Sequence, residues 1–176
     1  MSGEDDPVRE LAALLARVDA RPMLVKERIA ASTLYDADYH LALVACAFMT
    51  HAKPDASGRD QMLAPWLKLL QFVAVRPRLL PDLRLWAETR RNADLETWRK
   101  MPRGYVGDRI HDAIIDFLVA GDVLEREKDR LVGGRHVDML RRLYERVTAA
   151  DLFATERRVL DDLLTVRPNK TMLGGA

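Results

Sequence analysis

A helix that ends at a glycine and continues into a charged hairpin constrains the fold of this 176-residue chain more than any other feature. Helical spacing over residues 108–120 predicts an inward face made of Ile110, Ala113, Ile114, Phe117 and Leu118. Gly121 is predicted to end the helix, since glycine readily adopts the backbone conformation that follows a last helical turn. Residues 123–126 and 130–132 have the pattern of two short strands around a turn at 127–129, and Gly133-Gly134 ends the second strand. The helix must therefore end sharply so that the hairpin can fold back over it.

Helical spacing also dominates the rest of the chain. Asp6-Pro7 supplies an N-cap and a first-turn proline for a helix over residues 7–19. A second helix begins near Asp36, and the clearest apolar stripe of the chain lies along it: Leu41, Val44, Ala45, Phe48, Met49 and Ala52. Composition predicts a loop at 53–58, and further helices are predicted at residues 60–75, 81–91, 94–100, 136–147 and 155–164. The predicted fold class is mainly α with one short β-hairpin.

The order of short helix, turn, longer helix, glycine and tight charged hairpin resembles a winged helix. The matching stretch is 108–132, and residues 117–132 resemble the junction between helix and wing in such domains. The resemblance implies a winged-helix-like unit inside the helical domain. The alternative is a helix followed by an unrelated hairpin in another α+β fold. Many winged helices bind DNA through the long helix, so the charge on that helix bears directly on function.

The predicted long helix carries a stripe of carboxylates. Asp108, Asp112 and Asp116 recur at intervals of four residues and therefore share one exposed side of the helix. Residues 104–135 contain five basic and seven acidic side chains, a poor electrostatic match for DNA phosphates. The three aspartates are therefore predicted to contact a protein partner, and the alternative is a solvated acidic face.

The opposite charge lies in residues 76–103, which contain eight basic and four acidic side chains with Trp86 and Trp98 interleaved. A basic segment of this kind could dock on an acidic protein or contact a nucleic-acid backbone without reading bases. A solvated arginine-rich face is the third interpretation. The predicted partner or DNA contacts are Arg76, Arg78, Arg84, Arg90, Arg91, Arg99, Lys100 and Arg103.

No residue pattern indicates an enzyme, a metal site or a cofactor. His40 and His51 share a face of the second predicted helix but lie about 16 Å apart along its axis, so they cannot bind one metal. Cys46 is predicted to be a small core residue. The sequence contains no zinc-ligand, phosphate-loop, dinucleotide-binding or nucleophile-elbow pattern. The prediction is a non-catalytic protein without a cofactor.

The length favours one domain, or one domain that carries a helical extension. Its predicted parts are an N-terminal helical part at 1–58, a helical and winged-helix-like part at 59–166, and a flexible tail at 167–176. The net charge of +1 gives the molecule no bulk attraction to nucleic acid or to an anionic membrane. The acidic N-terminus is unlike a signal peptide, and no apolar run reaches the ~20 residues of a membrane span. With a single cysteine, these features predict a cytoplasmic protein with no membrane contact.

In size and layout the chain is similar to the small middle components encoded with SMC- or Rad50-like ATPases in bacterial antiphage operons of the Lamassu and ABC-three-component type. The likeness rests on the helical first half, the Arg-Pro-Arg break at 76–78 and the helix-to-wing segment, together covering about 36–165. It implies a non-catalytic accessory subunit that binds the SMC-like ATPase and restrains or positions an effector nuclease. The competing prediction is a winged-helix DNA-binding transcription regulator, which needs a basic reading face and usually a dimer interface.

Overall fold

The computed structural model describes residues 37–89, 109–168 and 173. Six α-helices and four strands lie within these ranges. In chain order they are α1 (Ala37–His51), β1 (Lys53–Pro54), β2 (Asp60–Leu63), α2 (Ala64–Ala74), a 3₁₀ turn (Pro77–Leu79), α3 (Leu80–Thr89), α4 (Arg109–Ala120), β3 (Leu124–Glu127), β4 (Arg130–Gly133), α5 (Asp138–Ala149) and α6 (Ala154–Asp162). The predicted mainly α fold is confirmed. The helices predicted at 7–19 and 94–100 lie outside the described residues.

Helix α1 lies at the centre of the core. All of its residues from Asp38 to Phe48 are buried, so the helix is covered on every side and not only along the predicted stripe. Leu43 and Ala47 lie off that stripe and are nevertheless completely buried. Helices α2, α4, α5 and α6 all pack on α1. One apolar core therefore joins α1 to elements beyond residue 58, and residues 58 and 59 lie in the exposed turn of a hairpin.

The four strands form one antiparallel sheet in the order β1-β2-β4-β3. The predicted hairpin is confirmed as β3 and β4, paired from Leu124 opposite Gly133 to Glu127 opposite Arg130. Its turn is tighter than predicted, and Lys128 adopts a left-handed conformation there with φ 57°. Strand β2 adds to the hairpin along β4. This order of α1, β2, α2, α4 and the β3–β4 hairpin is compatible with a winged-helix-like unit.

The segment between α1 and α2 differs from its prediction. Residues 53–63 form the β1–β2 hairpin, whereas the sequence predicted a loop and then a helix starting at residue 60. In the turn, Asp55 Oδ1 accepts hydrogen bonds from the Ser57 hydroxyl at 2.6 Å and from the Arg59 backbone N–H at 2.9 Å. These bonds, led by the one from Ser57, lower the pKa of Asp55. Helix α2 begins only at Ala64 because the three preceding residues, 61–63, pair with β4, a strand that lies far along the chain.

The end of α4 shows why the hairpin follows it so closely. The left-handed residue is Asp122, with φ 54°, and not the predicted Gly121. Its N–H donates to the Val119 carbonyl at 3.1 Å, and the Val123 N–H donates to the Leu118 carbonyl at 3.0 Å, which is the Schellman arrangement. The Asp122 carbonyl then accepts the N–H of His136 at 2.9 Å. The start of the hairpin and the segment after it are thus held together at Asp122.

Among the helices that the structure describes, none combines the length and the apolar composition that a membrane crossing requires.

Among the four glycines in the described ranges, Gly134 has the closest backbone packing and tolerates a side chain least. A Cβ there would lie 2.4 Å from the Asp122 carbonyl oxygen, whereas a Cβ at Gly121 would meet nothing nearer than 3.5 Å. We expect Gly134→Ala to lower the free energy of unfolding by about 1–3 kcal/mol, measured by urea denaturation. Gly121→Ala, the matched control, is expected to stay within about 0.5 kcal/mol of wild type. Equal stability of the two variants would contradict the packing described here.

Candidate functional site

Helix α4 presents the predicted acidic side to solvent. Its buried residues are His111, Ile114, Ile115 and Leu118, so the helix is rotated from the predicted face. Ala113, predicted to point inward, is exposed because His111 and Ile115 occupy the core side. Asp112 and Asp116 are both exposed, as predicted, and Asp108 lies outside the described residues.

Both described aspartates form ion pairs with other elements. Lys68 on α2 donates to both carboxylate oxygens of Asp112 at 2.7 Å. Arg126 on β3 donates to Asp116 at 2.9 Å. The first pair is the more enclosed, because the Lys68 side chain is only 11% exposed, whereas Arg126 is 50% exposed. Asp112 and Asp116 are therefore each paired with a cation of the same chain, and the role of the carboxylate stripe as a partner contact remains a prediction.

A groove of about 400 Å³ lies beside these pairs, between the start of α2, helix α4 and the β3–β4 hairpin. Ile115 and Leu131 provide apolar lining, while Lys68, Arg126 and Lys128 are its cations. The side chain of His111, 4% exposed, forms part of the wall. Leu173, from the segment after α6, also lines the groove. The groove combines an apolar floor with a charged rim, which suits a short segment carrying an aliphatic side chain.

A second cleft, of about 380 Å³, lies between the β1–β2 turn and the end of β4. Three arginines line it: Arg59, Arg135 and Arg141. Arg59 donates to Glu125 at 3.0 Å and to Glu127 at 2.9 Å, so it ties the β1–β2 turn to β3. Arg141, also lining the cleft, pairs with Asp138 at 2.8 Å. Arg59 and Arg141 are thus matched by carboxylates, and the contacts of Arg59 join the β1–β2 turn to β3.

Three of the eight basic residues predicted as contacts lie in described parts of the chain. The Arg76 guanidinium lies 4.0 Å from the centre of the Phe72 ring and donates to the Phe72 carbonyl at 3.3 Å. Arg84 pairs with the Asp162 carboxylate at 3.0 Å, and Arg78 is exposed in the 3₁₀ turn. The other five lie outside the described residues: Arg90, Arg91, Arg99, Lys100 and Arg103.

A buried polar pair joins the first turn of α1 to the first turn of α6. The Tyr39 hydroxyl donates to Glu156 Oε1 at 2.9 Å, and both side chains are buried. Burial, followed by the negative charge of Glu156, raises the pKa of Tyr39, so the hydroxyl keeps its proton and remains a donor. The ring of Phe153 packs edge-on against Tyr39 with centroids 5.1 Å apart. This arrangement fixes the position of α6 on α1.

Two residues of α1, His51 and Cys46, contribute to the packing of the helices. His51 Nε2 donates to the Leu160 carbonyl at 2.9 Å, and the ring contacts Trp66 edge-on with centroids 6.1 Å apart. Cys46 is completely buried, which confirms it as a core residue, and burial raises the pKa of its thiol to about 12. Within residues 37–89 and 109–168, no three His, Cys, Asp or Glu side chains come together in a way that could hold a metal ion.

Several residues that shape the surface around α4 were not predicted from the sequence. Lys68 is 44 positions from Asp112, so no local spacing could indicate their pairing. Arg126 is ten positions from Asp116, and the pair forms only because the hairpin folds back along the helix. The packing of Leu173 against the core was not predicted either, because residues 167–176 were predicted to form a flexible tail.

The burial of His51 predicts a loss of stability in mild acid. Burial holds the pKa of His51 below its usual value of about 6.5, so the unfolded chain binds the proton more readily. The contribution of uncharged His51 to the free energy of unfolding is complete above about pH 6.5. As the pH falls from there toward the pKa of His51 in the folded state, this contribution decreases by at most ~1.4 kcal/mol per pH unit. We expect His51→Gln, which keeps a donor for Leu160, to show a flatter dependence between pH 7 and 5 in urea denaturation. Parallel curves of unfolding free energy against pH for wild type and His51→Gln would show that protonation of His51 does not cause the loss of stability.

The two ion pairs of α4 are predicted to differ in their contribution to stability. Asp112→Asn removes the carboxylate that faces the mostly buried Lys68 ammonium, so we expect a loss of about 1 kcal/mol or more in thermal or urea denaturation. Asp116→Asn removes a pair between two well-exposed side chains and is expected to change stability by less than about 0.5 kcal/mol. A larger effect at Asp116 would reverse this ranking.

Comparisons with known proteins assign this chain to no family. No protein-family model matches it, and neither does any curated protein or solved structure. The surface around α4 and the groove beside it must therefore be interpreted from their own geometry and charge.

Proposed function

We propose that this protein is a non-catalytic, cytoplasmic accessory subunit that bridges an SMC-like ATPase and an effector in a bacterial antiphage defence complex. The observation that supports a protein-contact role is the ion pairing on the exposed side of α4. Asp112 pairs with Lys68, and Asp116 pairs with Arg126. The winged-helix-like unit then provides a surface for proteins and not a helix that reads DNA. The choice of an ATPase and an effector as partners rests on two features of the sequence. These are the similarity of its element order to the small middle components of such systems, and the Arg-Pro-Arg break at 76–78.

The exposed side of α4 is poorly suited to the major groove. A reading helix normally presents Arg, Lys, Asn or Gln to base edges, whereas this side presents Asp112, Ala113 and Asp116 with Arg109 at its start. The hairpin offers no compensating charge, because acidic and basic residues alternate along it from Glu125 to Arg130. Attraction to phosphates is therefore weak on this surface.

The basic segment is the better candidate for a partner contact. Arg78 is exposed in the 3₁₀ turn, and the side chain of Arg84 is 42% exposed beside Asp162. Both lie on the same stretch as Arg90 and Arg91, which are predicted contacts outside the described residues. Charge on this segment suits an acidic protein surface and is also compatible with non-specific contact to a DNA backbone.

Co-purification tests the subunit proposal. The full-length tagged chain is expressed with the products of the flanking genes, and complexes are measured by size-exclusion chromatography with light scattering. We expect an ATPase and an effector to co-elute, and we expect the charge reversals Arg78→Glu and Arg90→Glu/Arg91→Glu to weaken the complex several-fold without unfolding the chain. Arg142→Glu, at an exposed arginine on α5, is the matched control and is expected to assemble normally. Normal assembly of every variant would remove the basic segment from the interface.

A winged-helix transcription regulator is the alternative function. The same protein preparation distinguishes it, because a regulator binds a particular duplex far more tightly than unrelated DNA at physiological salt. Fluorescence anisotropy with duplexes from the flanking intergenic DNA measures this difference. Tight, sequence-specific binding without any co-purifying ATPase would support the regulator and contradict the subunit.

A further inference from the structure

The groove beside α4 presents apolar surface between two helices and a hairpin. Its lining includes the apolar residues Ala64, Pro65, Ile115, Leu131 and Leu173. Ile115 and Leu131 are buried, whereas Ala64, Pro65 and Leu173 are only partly buried. The volume of about 400 Å³ falls within the range of roughly 300–1,000 Å³ that binding pockets occupy, so the groove has room for a short peptide segment.

The cations of the groove differ in whether a carboxylate pairs with them. Lys68 donates to both carboxylate oxygens of Asp112 at 2.7 Å, and Arg126 donates to Asp116 at 2.9 Å. Lys128 also lines the groove and is exposed, but no carboxylate in residues 37–89 and 109–168 pairs with it. The groove therefore offers an incoming anion one available cation at the edge of its apolar surface.

The hairpin turn holds the backbone of Lys128 close to the start of α2. The next residue, Asp129, accepts the N–H of Ala64 through its carbonyl oxygen at 2.8 Å. Ala64 and Pro65 belong to the apolar lining, so the turn is attached where the apolar surface begins. The position of the lysine along the groove is thus set by the fold, while its flexible side chain can reach an anion that lies over the lining.

We propose that this groove binds a short acidic segment of a partner protein, with one aliphatic side chain on the apolar lining and a neighbouring carboxylate on Lys128. The aliphatic side chain leaves water, and the carboxylate meets the cation that the fold leaves unpaired. A basic segment is disfavoured because its charge would face Lys128. A DNA backbone supplies phosphates but no aliphatic group for the lining, so a peptide fits the groove better than nucleic acid does.

The groove adjoins the exposed side of α4, because Asp112 belongs to both. The assignment of the acidic segment to an ATPase or an effector rests on the proposed function. The binding chemistry does not, since it is measured on the isolated chain. Peptide binding in the groove without any co-purifying ATPase would reject the proposed function alone. Co-purification without peptide binding would reject the groove alone.

A titration of the isotope-labelled full-length protein with capped tripeptides, followed by NMR, tests the proposal. The probe is acetyl-Asp-Leu-Asp-amide, in which a carboxylate stands on each side of the aliphatic residue. Its chemical-shift changes are expected to centre on Ile115, Leu131 and Lys128. Acetyl-Asn-Leu-Asn-amide has the same size without the charges and is expected to bind about threefold more weakly. Acetyl-Asp-Ala-Asp-amide, which loses the aliphatic anchor, is expected to bind at least about fivefold more weakly.

Variants at exposed lysines assign the charge contact without disturbing the core. Lys128→Gln is expected to bind the probe about threefold more weakly than wild type, whereas Lys128→Arg keeps the wild-type affinity. The matched control is Lys53→Gln, at an exposed lysine on β1 outside the groove lining, and it is expected to bind as wild type does.

Four outcomes overturn the proposal. The first is that no chemical-shift changes centre on the groove, and the second is that the Asp and Asn peptides bind equally well. The third is that Lys128→Gln binds the probe as tightly as Lys53→Gln does. The fourth is that a short DNA duplex shifts the same groove signals at a lower concentration than the probe, since the ligand would then be a nucleic acid.

Discussion

Burial of helix α1 on all sides is the constraint on which the other helices depend. An isolated helix with an apolar surface all round cannot remain in water, so α2, α4, α5 and α6 must cover it. Alanines at 42, 45 and 47 keep parts of its surface small, which allows neighbouring helices to approach closely. Two polar side chains near its ends bond to α6: Tyr39 to Glu156, and His51 to the Leu160 carbonyl. Helix α6 is therefore positioned by hydrogen bonds at two points along α1.

The sheet places α4 where its charges are matched. Strand β2 leads directly into α2, and its pairing with β4 brings the start of α2 next to the hairpin. Lys68 then reaches Asp112 from one side, while Arg126 on β3 reaches Asp116 from the other. Two of the three aspartates of the predicted acidic stripe, Asp112 and Asp116, thus form ion pairs with neighbouring elements. An exposed helix side that carries these carboxylates gives little attraction for phosphates.

The groove between α2, α4 and the hairpin follows from the same geometry. Ile115 on α4 and Leu131 on β4 form its apolar floor. Lys68 and Arg126, which pair with the aspartates of α4, lie on its rim. Leu173 shows that the segment predicted as a flexible tail has at least one residue packed against the core. The exposed side of α4 and the groove that Leu173 lines adjoin each other at Asp112.

Local patterns determined the elements whose partners are close in sequence. The helix that ends near Gly121, the hairpin after it and the burial of Cys46 could all be predicted, because helical spacing, a glycine stop and a short turn involve residues only a few positions apart. The function class remained open, since no motif carries it. Only the tertiary structure decided the β1–β2 hairpin, the rotation of α4 that exposes Ala113, the burial of α1 on every side, and the pairing of Lys68 with Asp112. Those features depend on contacts between residues far apart along the chain, and periodicity within a single segment contains no information about which distant segment will cover it.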